Sequence, residues 1–176
     1  MFKEKTIPRH LLLVILFILC IAVTFAGTLT PVDEETAEGI AEESKEMSEE
    51  IRSDPWMGMR YIFGNNFMHC LIMFVPGVGV AYGFFVMYST GFVIETLALS
   101  GGINPQLYLA LLFIFPFAWM EYLAYSIAMT ESTYLVIGII EGKFRQELSK
   151  TYKWITLCAV ILLLAALVEI LFIIWI

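Results

Sequence analysis

The residues that could do chemistry in this sequence lie where water is scarce. Asn65, Asn66 and His69 sit in the stretch from Phe63 to Gly79, and Glu95, Glu121 and Glu169 are each embedded in apolar residues. Asn65 and Asn66 stand four and three residues before His69, and His69 stands four before Met73, so one helix face gathers them. That polar face must point at protein or water. An unpaired carboxylate at membrane depth is costly and turns toward a bundle interior or a wet cavity. No Lys or Arg lies at similar depth to Glu95, Glu121 or Glu169, so each either carries a proton or is held by Asn65, Asn66, His69 or a bound cation. A soft-metal set from His69, Cys70 and Met73 is the other chemistry this spacing permits. A hydrogen-bonded packing cluster with Asn65 and Asn66 accounts for the same residues, because the second histidine, His10, lies far away in the chain. Neither an activated nucleophile nor a set of metal ligands is visible, so the expectation is a protein that is not an enzyme and holds no cofactor.

The composition explains why these residues stand out. Of the 176 residues, 60% are hydrophobic and 15% charged, with a mean hydropathy of +0.82, well above the roughly 45–50% apolar share of soluble domains. This is the composition of an all-α, polytopic helical membrane bundle, one domain over 1–176. The net charge of −7 and the lack of a basic face leave no expectation of nucleic-acid binding. Cys20, Cys70 and Cys158 each lie inside an apolar segment, spaced for neither a disulfide framework nor zinc, and read as small packing residues.

Taken in order, Lys3, Lys5 and Arg9 precede an apolar run that predicts a first span over 11–29. The run is longer than the core of a signal peptide, so the expectation is an uncleaved span with a cytoplasmic N-terminus. Thr30-Pro31-Val32-Asp33 then predicts a helix start, with Thr30 as the cap and Pro31 at the first helical position, for an acidic amphipathic helix over 31–54 outside the membrane. Its predicted seam is Ala37, Ile40, Ser44, Met47 and Ile51, opposite a face that includes Glu38, Glu42, Glu46 and Glu49. Those four carboxylates are either a solvated face or a docking site for a basic partner or divalent cations.

A span over 61–75 follows Trp56 and Arg60, which suit the membrane interface. At ~1.5 Å per residue it reaches only about 22 Å, so it is tilted or discontinuous. Pro76 and Gly77 end it, and the next span covers 77–99, where Gly79 and Gly83 let another helix approach closely and Gly91 precedes Glu95 by one turn. A half-helix over 106–115, broken at Pro116, leads to a span over 117–140. A basic cytoplasmic loop over 141–153 precedes the last span, 154–176. Five spans place the acidic helix outside the cell and the basic loop inside. Two interrupted segments in succession are also how transporters build midplane sites.

Phe63, Asn65-Asn66, Phe74, Pro76-Gly77, Gly79, Gly83 and Thr90-Gly91 form a pattern that resembles the stage II sporulation protein M family of small polytopic membrane proteins, over Tyr61 to Gly138. The resemblance implies that the family's later glutamate is Glu121. The chain departs from the family at Phe117-Ala118, where a His-Gly pair often stands, and at Glu95, where a small residue is expected. The resemblance also implies a membrane scaffold, since the member that names the family is similar to one that gathers a peptidoglycan-degrading complex at a septal membrane.

Two functions are therefore carried forward for a multi-pass protein of the cell membrane. The first is a non-enzymatic scaffold in the lipid bilayer, docking other membrane or envelope proteins through its acidic helix. The second is a small-solute or cation transporter or channel with intramembrane carboxylates along its path. A bundle of this size would build that path as a homodimer.

Overall fold

A computed structural model describes residues 7–175. Lys3, Lys5 and Ile176 fall outside them. The described residues form seven helices and no strand: α1 (Arg9–Gly27), α2 (Glu34–Ser53), α3 (Pro55–Met73), α4 (Gly79–Ser100), α5 (Pro105–Leu112), α6 (Pro116–Ile140) and α7 (Phe144–Trp175). The chain is an all-helical membrane bundle. α1, α4, α6 and α7 are long and apolar enough to cross a bilayer.

α3 differs from the predicted short span. It starts six residues earlier than 61, because Asp54 caps it: the carboxylate accepts from the Trp56 and Met57 amides at 3.1 Å, and Pro55 occupies the first turn. The resulting 19 residues extend roughly 28 Å. Arg60, Asn65, Asn66 and His69 keep α3 too polar to meet the apolarity of the four other long helices. It nevertheless runs the height of the bundle. Gly58 near its start faces Ile51 of α2 and Ile170 late in α7, while Val75, just beyond its end, accepts a 2.7 Å hydrogen bond from Ser132 late in α6. Gly77 turns the chain into α4 with a φ of 81°, a conformation only glycine adopts freely.

Three other boundaries move. Asp33, not Thr30, caps α2, its carboxylate accepting from the Thr36 amide and hydroxyl at 2.9 Å, and Pro31 stays in the connector. Those hydrogen bonds hold the Asp33 carboxyl below its ordinary range. Thr30 instead hydrogen-bonds the Tyr88 hydroxyl at 2.7 Å. The half-helix stops at Leu112, three residues short of the expected 115, and a turn carries the chain to Pro116. The expected loop over 141–153 is a loop only at Glu141–Lys143, where Gly142 turns at a φ of 70°. Beyond it α7 has already begun, since Phe144 to Lys153 hold no helix breaker and Glu147 pairs with Lys150 at 2.8 Å one turn on.

The core lies among α1, α3, α4, α6 and α7, around Leu16, Cys20, Met73, Met87, Tyr125, Met129 and Leu162. α6 is the central element: every residue from Ala124 to Ser132 is buried. Gly83 of α4 abuts the Met129 side chain and Gly79 abuts the Met73 carbonyl and Ser132, so this glycine pair admits α6 as expected. Gly91 serves α1, lying against the Thr24 carbonyl and Gly27. α2 packs on α4 and α3 through Ala37 and Ile51. Met47 is 41% exposed and leaves the predicted seam, with Ser48 half-buried in its place.

Candidate functional site

Of the polar residues that α3 gathers on one face, Asn66 reaches α6, His69 reaches α4 and Asn65 is exposed. The Asn66 amide Nδ2 donates to Glu121 Oε1 at 2.6 Å. One turn on, His69 Nδ1 shares a 2.7 Å hydrogen bond with the Tyr82 hydroxyl of α4. The first pair and His69 of the second border a cavity of about 470 Å³ walled by α3, α4, α5 and α6. Asn65, Asn66, His69 and Glu121 all line it, beside Thr90, Tyr108 and Tyr125. No Lys or Arg does so among the described residues. Glu169 of α7 does not line it.

Glu95 does not join them. It is absent from the cavity wall, and its Oε2 is buried without a hydrogen-bond partner. Of the glycines, Gly79, Gly83 and Gly91 shape helix contacts and Gly77 shapes a turn, and none borders the cavity. A metal set from His69, Cys70 and Met73 is not assembled. Cys70 points into the core toward the Ala124 carbonyl at 3.9 Å, with Cys158 of α7 on the same carbonyl at 3.4 Å, while His69 turns to Tyr82. Among the described residues no three of His, Cys, Asp and Glu gather.

Glu38, Glu42, Glu46 and Glu49 are all exposed on the outer face of α2. Glu46 also borders a groove of about 710 Å³ between α2 and the start of α3, together with Glu43, Glu50, Met47, Met57 and Tyr61. Ala37 and Ile51 anchor the helix at its two ends, so the carboxylates are presented on a docked surface and not on a free tail.

A second polar constellation was not foreseen. Arg9 at the start of α1 pairs with Glu131 Oε1 at 3.3 Å and with Glu147 of α7, and its guanidinium lies 4.3 Å from the Tyr134 ring centre. Glu131 is 2% exposed. The signal was present as one cation beside the first span and acids flanking the turn between two others. Helix directions decide whether such charges meet, and single-chain periodicity does not supply them. Next to Glu147, Lys143 pairs with Glu141 at 2.6 Å, which raises its ammonium above the ordinary lysine value.

The family model described as stage II sporulation protein M matches residues 11–172, extending the resemblance of the central segment to nearly the whole chain. Neither a curated protein nor a solved structure matches the chain.

Proposed function

Because the chain belongs to the stage II sporulation protein M family, we propose that it is a non-enzymatic integral membrane scaffold that docks other membrane or envelope proteins. The observation that carries this reading is α2: an amphipathic helix packed on the bundle through Ala37 and Ile51, with Glu38, Glu42, Glu46 and Glu49 turned outward. Like charges spaced four apart weaken an isolated helix, and packing on α4 and α3 compensates for this. The surface is therefore rigid and acidic, and it suits partners carrying basic segments. In the orientation expected from the flanking charges, α2 lies outside the cell and the turn at Glu141–Lys143 inside.

Replacing Glu38, Glu42, Glu46 and Glu49 together by glutamine leaves the packing residues untouched. The variant is expected to insert and fold as the parent does while losing most of the proteins recovered by in-membrane crosslinking and mass spectrometry. An unchanged set of crosslinked proteins would remove the docking role of α2.

A second reading is favoured by the cavity at Asn66 and Glu121, which places a carboxylate, carboxamides and hydroxyls inside the bundle. Under it the chain passes a small solute or cation. Glu121→Gln retains an acceptor for Asn66, so the fold should hold, and flux in proteoliposomes is expected to fall at least tenfold. Equal flux in parent and variant would take Glu121 off any path.

A further inference from the structure

We propose that the cavity between α3, α4, α5 and α6 is a binding site for a small alkylammonium ion, its charged nitrogen at Glu121 and its apolar chain against the aromatic wall.

The argument starts from which hydrogen-bonding groups remain unused. Asn66 spends an Nδ2 proton on Glu121 at 2.6 Å, leaving its own Oδ1 as an acceptor. Thr90 spends its hydroxyl proton on the Val86 carbonyl at 3.0 Å, leaving the Oγ1 lone pairs. Glu121 keeps Oε2 after accepting from Asn66. These acceptors suit a ligand that donates, beside the hydroxyls of Ser89, Tyr108 and Tyr125, which can donate or accept. A primary ammonium supplies three such protons.

Charge and shape agree with this. Glu121 lines the cavity with no lysine or arginine beside it among the described residues. A cation that enters can pair with the Glu121 carboxylate without competing against a protein cation. Tyr108, Tyr122 and Tyr125 supply an aromatic wall, a surface that attracts organic cations. About 470 Å³ lies in the range of small-molecule sites, roughly 300–1,000 Å³, and far exceeds what a bare metal ion occupies. The lining also includes Asn65 and Val93, which are exposed, and Phe85, 64% exposed, so an apolar chain can enter between α3 and α4 from the side.

This inference deepens the second functional reading and rests on its cavity. It is tested by binding and not by flux, so a cavity that binds without transporting separates the two. Full-length protein in lipid nanodiscs is titrated calorimetrically with hexylammonium, with hexanol as its neutral counterpart and potassium as an inorganic cation, each corrected against empty nanodiscs. Hexylammonium is expected to bind saturably and hexanol not to bind. Glu121→Gln should weaken hexylammonium at least tenfold with an unchanged unfolding temperature. Thr90→Val, which removes an acceptor while keeping side-chain size, should weaken it several-fold and serves if the Glu121 variant does not fold. Equal binding of hexanol, displacement of hexylammonium by equimolar potassium, or unchanged affinity in folded variants would each overturn the assignment.

Discussion

Replacing Arg9 by alanine is expected to destabilise the bundle by about 3 kcal/mol, the scale on which a buried carboxylate left without its partner costs a protein. The carboxylate in question is Glu131, 2% exposed on the most enclosed helix, with Oε1 taken by Arg9 and Oε2 already lacking a partner. Glu147 fares better in the same variant, because Lys150 stays at 2.8 Å. Unfolding in mixed micelles measures the loss. Glu131→Gln alone should cost less than about 1 kcal/mol, since it removes the charge that needs compensation and leaves Arg9 paired with Glu147. Combining Arg9→Ala with Glu131→Gln should recover most of the stability lost by the single arginine variant. A parent-like Arg9→Ala protein would show that the ion pair does not hold α1 to α6 and α7.

Gly91→Val is expected to cost about 3 kcal/mol or more, through backbone and not through charge. A Cβ at position 91 lands on the Thr24 carbonyl and on Gly27, and a Cβ at position 27 lands on the Tyr88 carbonyl and on Gly91. Neither neighbour is the end of a flexible side chain, so α1 must move away from α4. Losing that contact forfeits close van der Waals packing, the main attraction between helices in lipid, and overpacking strain adds to it. Because α1 also holds α6 through the 2.7 Å hydrogen bond between the Thr24 and Tyr122 hydroxyls, the displacement spreads. Gly39→Ala is the counterpart: nothing lies near its Cβ on α2, and a helical alanine there should stabilise by roughly 0.5–1 kcal/mol. Unfolding curves that rank the two variants the other way would contradict the packing described for α1 and α4.

The candidate site was legible to the extent that it depended on one helix. Asn65, Asn66 and His69 share a face because of helical spacing, and Glu121 stood out as a carboxylate in an apolar run, so the pairing of Asn66 with Glu121 was within reach of the sequence. Glu95 looked equivalent to Glu121 by the same criterion. The structure separates them, because only one of the two helix faces turns to the cavity. Tyr82, which receives His69, carried no signal, since a tyrosine in an apolar run is indistinguishable from interfacial or core packing until its neighbours are known.

The sequence by itself determined that this is a helical membrane bundle, where its long apolar helices fall, that an acidic amphipathic helix follows the first of them, and which family it resembles. These are properties of composition and local periodicity, each readable within a window of about twenty residues. Caps and turns shifted several boundaries, because a competing side chain, Asp33 over Thr30, or the lack of a breaker after Lys143 decides where a helix begins. Tertiary structure alone decided which polar groups meet. Arg9 reaches Glu131 and Glu147 across 122 and 138 positions of chain because the start of α1, the end of α6 and the start of α7 lie at the same end of the bundle. The cavity is lined by four helices contributed from distant segments. Helix direction and rotation set such encounters, and they follow from the packing of all the faces together.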